Sequence, residues 1–309
     1  MMANAALPAL DLKKILAAAQ LPALPQSAIR LLGLSQDPDN GPAEFAVPVE
    51  SDPGLAGQVL RFVNSSYFGF SHEISNVRLA ISLVGVRTIK NFALWSAVFS
   101  LMPNPKCGPF DLRSLWQDSL RRALLARAVG KLLGMKEAEE PFAAALLQDM
   151  AIPLLAKEAP EAYARLLQAR DQGKVRFSTL EKHYFGWTHA EAAGRMARQW
   201  NLPEAFSVLI ENHTQVECRS IQTEGDRARL AVAVSALLPA SHDLRWFECG
   251  RFDACCDVVY SPGRPTPSDL LAQVDREYAA FAPTLKLPCP SRSLVDMYDA
   301  EHAVAAAGG

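Results

Sequence analysis

The chain has 309 residues, 50% of them hydrophobic and 21% charged, a balance that excludes a globally disordered chain and supplies enough apolar surface for a full core. Its 31 Lys and Arg stand against 33 Asp and Glu, a formal net charge of -2, so no overall positive field favours a nucleic-acid backbone or an anionic membrane surface. Six cysteines (Cys107, Cys218, Cys249, Cys255, Cys256, Cys289) include no CxxC pair and no matching His spacing, which predicts thiols rather than a disulfide scaffold or a zinc finger. Met1 to Leu10 lacks a basic start, and no uncharged run is long enough for a membrane span, so the expectation is a cytoplasmic protein.

Apolar residues recur at helical spacing almost throughout. In the first third the pattern predicts helices over Leu10 to Ala19, Pro25 to Ser35, Pro42 to Ser51, Pro53 to Asn64, Asn76 to Val84 and Arg87 to Leu101. Asp52-Pro53 reads as an N-cap followed by proline in the first turn, while Pro48 should kink or shorten the helix before it. Asp37 to Gly41 is a turn by composition, and the proline-rich stretch Met102 to Pro109 reads as a connector between two lobes.

The second lobe is predicted to hold helices over Leu112 to Leu133, Ala138 to Leu155, Pro160 to Gln172, Ser178 to Tyr184, His189 to Trp200, Pro203 to His213 and Arg227 to Leu238. Thr188 and Glu191 form a capping-box pattern, and the arginines 113, 121, 122 and 127 lie mostly off the apolar stripe of the longest helix. Beyond Ala240 the pattern changes: Asp253 to Tyr260 reads as a strand or an irregular stretch, Ser261 to Pro267 as a linker, Ser268 to Phe281 as a helix, and Ala303 to Gly309 as a frayed end. The fold class is all-α, with residues 1–105 and 106–240 as two helical lobes and 241–309 as a C-terminal extension.

Four segments in order, Leu21-Pro22-Ala23-Leu24-Pro25, Asp52-Pro53-Gly54-Leu55, Asn64-Ser65-Ser66-Tyr67-Phe68-Gly69 and Ala80-Ile81-Ser82-Leu83-Val84-Gly85, resemble the HDOD family, the HD-related output domains of bacterial signalling proteins. The resemblance covers about residues 10 to 238 and implies two helical lobes, the second similar to HD-superfamily metal phosphohydrolases. Locally, Asp52, Pro53, Asn64, Ser65, Tyr67, Phe68, Gly69 and Gly85 read as structural residues; Asn64 suits a helix end because it tolerates left-handed geometry. Tyr67, Phe68 and Phe70 either close a core or anchor a partner, and the core reading is preferred.

Catalytic HD domains use an ordered set of His, His-Asp and Asp ligands. The resemblance places Asp118 where the first His belongs, Gln148-Asp149 at the His-Asp pair, and Val234 or Ser235 at the last Asp, while the Lys that follows the pair in phosphodiesterase relatives is Ile152. Asp149 survives, with His189 and His213 at positions resembling extra histidines of HD-GYP relatives and Asp118 as a substitute oxygen ligand. A neutral Gln amide is a poor replacement for imidazole. These five residues form a candidate vestigial cleft, read as a structural relic in preference to a live small-molecule site, with no catalytic residue, no metal and no cofactor expected. His189 also reads as a helix-start residue and His213 as a helix-end residue; His242-Asp243, the one literal His-Asp pair, reads as surface loop. The reading that follows is a non-enzymatic bacterial signal-transduction output or adaptor module acting through a protein partner, with or without a ligand in the degenerate cleft, and without nucleic-acid or membrane binding; the alternative is a divergent metal phosphohydrolase acting on a nucleotide or cyclic dinucleotide.

Overall fold

A computed structural model describes residues 10–35, 37, 39–217, 221–259 and 265–307, and among them every regular element is a helix. In chain order these are α1 (Leu12–Ala18), α2 (Gln26–Leu34), α3 (Pro42–Glu50), α4 (Pro53–Val63), α5 (Val77–Val84), α6 (Val86–Leu101), α7 (Leu112–Leu132), α8 (Glu139–Leu147), α9 (Ile152–Glu158), α10 (Pro160–Ala169), α11 (Phe177–Phe185), α12 (His189–Gln199), α13 (Glu204–Asn212), α14 (Glu224–Ser235), α15 (Cys249–Val259), α16 (Pro267–Phe281) and α17 (Leu294–Ala307). One contiguous apolar core runs from Leu12 to Met297. No described helix is long and apolar enough to cross a membrane.

The family-like segments act as joints. Asp52 caps α4 by accepting from the Leu55 N–H at 3.0 Å, and it also accepts from the Ser27 hydroxyl at 2.8 Å, tying α2 to α4. Asn64 does not adopt the left-handed conformation expected of it (φ -81°). Instead its amide donates to the carbonyls of Leu60 and Ile74 and accepts from the Ile74 N–H at 2.7 Å, closing the loop between α4 and α5. Gly69 and Gly85 do take positive φ, 63° and 93°, and Gly85 is the single residue on which α5 ends and α6 begins. Helix α3 runs through Pro48 and ends at Glu50, so the proline sits in its last turn, where little helix remains to disrupt.

Tyr67 and Phe68 pack against the core, while Phe70 stays 37% exposed. The Tyr67 ring stacks on Phe281 at 4.0 Å, and Phe62 lies between Phe92 and Phe281. Phe281 ends α16, so residues beyond 240 complete the core of the first lobe's aromatic loop. Helix α16 also packs along α7, which explains why two of its arginines are not on a solvent face: Arg121 and Arg127 are buried, Arg113 stays exposed, and Arg127 donates to the Tyr67 hydroxyl at 2.6 Å and to Glu277 at 2.8 Å. An amphipathic pattern marks the apolar stripe but cannot show that a second helix covers the polar one.

Three other expectations change. Ala138 to Leu155 is not one helix: α8 stops at Leu147 and α9 starts at Ile152. Pro153 has no N–H to give the Asp149 carbonyl, which instead accepts from Ile152 at 3.0 Å, and the chain turns. Residues 253 to 259 are helical within α15, with Tyr260 outside the described residues. The C-terminal residues from Ala303 to Ala307 belong to α17, while Gly308 and Gly309 lie outside the description, as do Cys218, Pro38 and the linker residues 261 to 264. Cys107, Cys249 and Cys289 are free thiols, whereas Cys255 is disulfide-bonded, against the expectation of reduced thiols throughout.

Candidate functional site

The turn between α8 and α9 carries Gln148 and Asp149 into the second lobe, where α7, α12 and α13 meet it. His189 opens α12: the Thr188 hydroxyl accepts from the Glu191 N–H, so half of the expected capping box forms. The other half, the Thr188 N–H donating to the Glu191 carboxylate, does not: Glu191 pairs instead with Lys182 at 3.0 Å, while the next N–H, that of His189, donates to Glu181 of α11 at 2.9 Å. His213 caps the end of α13. Helices α12 and α13 approach so closely that a Cβ on Gly194 would lie 2.6 Å from the Cβ of Glu211, and this contact sets the two histidines face to face.

Asp149 Oδ1 lies 3.2 Å from His189 Nε2 and 3.6 Å from His213 Nε2, and the two Nε2 atoms are 3.2 Å apart. The protons can be placed from the partners. His213 Nδ1 lies 2.7 Å from the Ile210 carbonyl, which can only accept, so its Nε2 presents a lone pair. His189 Nδ1 lies 2.5 Å from the Glu181 carboxylate and must also donate, and its Nε2 proton points at His213 and Asp149.

Burial alone would neutralise these groups, and it wins only at His213, whose pKa is lowered. At His189 burial is outweighed by the Glu181 charge and by hydrogen bonds to Asp149 and Glu181, which lift the pKa from 6.5 to about 9. At Asp149 burial is outweighed by the Arg122 guanidinium and the two histidines, which hold the carboxyl well below its ordinary value. Arg122 of α7 is ion-paired to Asp149 Oδ2. Two carboxylates are thus balanced by one guanidinium and one imidazolium in a closed network.

All five expected cleft residues line one cavity of about 130 Å³, but in different roles. Asp149, His189 and His213 bring three ligand-type atoms within 4.8 Å of one another. Asp118 does not join them as a substitute ligand: its Oδ1 accepts from the Ser241 N–H at 2.8 Å, fixing the loop after α14, and burial pushes its carboxyl pKa up. Gln148 is 1% exposed and neither end of its amide has a hydrogen-bond partner. Ser235 sits fully buried with its hydroxyl donated to the Val232 carbonyl, so α14 offers no carboxylate at the position of the last family ligand. Asp243 is not a surface residue: it is buried, accepts from Ala240, and pairs with Arg170 at 2.5 Å on the cavity wall.

A metal of the kind HD enzymes use would have to displace two things from this donor set: Arg122, which already supplies a cation to Asp149, and the proton that His189 Nε2 directs into the cluster. Sequence reasoning missed Arg122 and Glu181. Arg122 follows Asp118 by one helical turn, a spacing that puts both on one face and could have revealed it; Glu181 carries no comparable signal.

Similarity to known proteins covers most of the chain. A curated protein of Treponema pallidum (strain Nichols), described as uncharacterized, is 21% identical over 194 residues, which are 62% of this chain and 37% of that protein. Among solved structures, a Shewanella amazonensis SB2B protein described as a "Putative phosphohydrolase" matches with a TM-score of 0.65 at 19% identity, covering 88% of this chain and 97% of that one. An HDOD domain protein of Geobacter sulfurreducens matches at 0.60 and 18% identity over 96% of both chains. A "Putative signal transduction protein" of Marinobacter aquaeolei VT8 matches at 0.62 and 19%, covering 87% of this chain and 58% of that one. At these identities the likeness is one of fold. The family model described as HDOD domain matches residues 21–216, the same stretch that carries the capped joints and the Asp149 cluster, and the chain belongs to that family.

Proposed function

We propose that the chain is a non-catalytic signalling module that acts through protein–protein contacts, with a small ligand able to occupy the second-lobe cavity. The observation that carries this reading is the Arg122–Asp149 ion pair: the carboxylate that a water-activating metal would need already holds a guanidinium, and the His213 lone pair faces the His189 ring. Gln148 at the place of the signature histidine removes a further ligand. For a partner, α5 turns Leu79 and Leu83, one helical turn apart, to solvent, each 47% exposed, and α3, packed on α5, exposes Val47 at 60%. For a ligand, the bare Gln148 amide offers a donor and an acceptor inside a partly apolar cavity, and leaving such a group unpaired costs about 1–3 kcal/mol.

A second reading, a divergent phosphohydrolase acting on a nucleotide or cyclic dinucleotide, rests on the convergence of Asp149, His189 and His213. One pair of measurements separates the two. Phosphate monoesters, nucleotides and cyclic dinucleotides incubated with the protein and manganese should show no turnover; turnover abolished by Asp149→Ala would establish the enzyme. Affinity capture from the native host should recover a partner with wild type and lose it with Leu79→Glu/Leu83→Glu, whose circular dichroism should stay helical.

A further inference from the structure

Outside the family-matched region, α15 and α17 place three chemically distinct side chains together: Cys249 and Asp253, one helical turn apart on α15, and His302 of α17, with ligand-type atoms within 4.8 Å of one another. We propose that Cys249, Asp253 and His302 form a binding site for a borderline-soft divalent cation of the zinc type, which clips α17 onto α15.

The hydrogen bonds around the cluster have the form of a support shell. His302 Nδ1 lies 2.9 Å from the Tyr298 carbonyl one turn earlier, so Nδ1 carries the proton and Nε2 presents a lone pair. That lone pair faces Asp253 Oδ2 at 3.0 Å. Two acceptors at this distance require a cation between them, either a proton or a metal ion. Tyr298 donates its hydroxyl to the other oxygen, Asp253 Oδ1, at 2.7 Å, which fixes the carboxylate with Oδ2 toward the histidine. The Cys249 sulfur favours the metal over the proton: it is a free thiol whose Sγ lies 3.9 Å from His302 Nδ1, the ligand-type atoms of all three residues lie within 4.8 Å of one another, and a mixed S, N, O set suits zinc.

The surroundings are receptive to a cation. The Asp253 carboxylate places negative charge beside Cys249, a field that a bound divalent ion would relieve. Access is open, because Cys249, Asp253 and His302 line a surface recess together with Arg245, Phe247 and Gly250. Three protein ligands leave one tetrahedral position for solvent.

The test is cobalt(II) titration of the full chain, followed by absorption spectroscopy and competition with zinc. Wild type should take up one equivalent with a sulfur-to-cobalt charge-transfer band and tetrahedral d–d bands, and zinc should displace it. Ion bound at the Asp149 cluster would give no such charge-transfer band, because that cluster contains no sulfur. Cys249→Ser should abolish the band, His302→Gln should weaken binding strongly, and Tyr298→Phe, which only frees the Asp253 carboxylate, should weaken it about 10-fold. Absence of the band in wild type, or its persistence at full strength in Cys249→Ser or His302→Gln, would overturn the proposal and leave a proton-bridged His–Asp pair. Should Cys249→Ser fail to fold, His302→Gln, at a solvent-exposed position, decides alone.

Discussion

The Arg122 guanidinium and the Asp149 carboxylate form an ion pair whose side chains are only 13% and 5% exposed, joining the middle of α7 to the turn between α8 and α9. Breaking a pair so placed strands the other charge in a poorly solvated site. Arg122→Met should therefore cost about 3–5 kcal/mol in urea denaturation, and adding Asp149→Asn should recover part of it. The same pair governs metal affinity at this cluster. Gln148→His alone should gain no manganese binding by calorimetry, because the guanidinium remains, whereas Gln148→His with Arg122→Met should bind. Binding by the single variant would show that Arg122 does not block the site.

The histidines make stability depend on pH in a direction that follows from their shifts. His189 has a folded pKa of about 9 against 6.5, so its contribution is complete below pH 6.5 and disappears as pH rises through about 9. His213, with a lowered pKa, acts oppositely, and its contribution declines as pH falls below 6.5. Asp149, with a depressed pKa, contributes until pH falls below the ordinary carboxylate range. The unfolding free energy should fall between pH 6.5 and 9 by an amount on the order of 3 kcal/mol in urea denaturation, and His189→Gln should flatten that slope. An unchanged slope in the variant would assign the effect elsewhere.

Gly194 is expected to be intolerant of a methyl group. Its Cβ would meet the Cβ of Glu211 at 2.6 Å, so Gly194→Ala must move α13 away from α12. A cost of about 1–3 kcal/mol is the usual scale for such overpacking. Because His189 and His213 ride on these two helices, the variant should also lose part of the alkaline pH dependence, which a purely local strain would leave intact.

Phe281 links the C-terminal segment to the first lobe. Its ring stacks on Tyr67 at 4.0 Å and lies 5.3 Å from Phe62, and it is 1% exposed. Phe281→Ala should cost about 3–5 kcal/mol. Tyr67→Phe, which removes only the hydroxyl that accepts from Arg127, should cost about 1–3 kcal/mol, measured in the same denaturant series. Equal, negligible losses would mean that α16 is dispensable for the core.

The sequence alone determined the helical class and most helix starts, because those are local: Asp52, Asn76, Asp111 and Thr188 each accept a hydrogen bond from their own helix's first turn, and the apolar stripe of α7 has its period in the chain itself. It also supplied Asp149, His189 and His213 as a candidate set, through residue identity at positions resembling a family. What tertiary structure decided is which charges meet. Arg122 lies off the apolar stripe until α7 is packed against the Gln148–Asp149 turn, and Glu181 carries no signal in the sequence until it closes on the His189 ring. His302 stands 53 residues after Cys249, beyond any ligand spacing that a motif encodes, and only the docking of α17 on α15 brings them together. Coulombic and ligand interactions depend on distance in space, whereas caps and periodicities depend on distance along the chain; the former became visible only once the helices were placed.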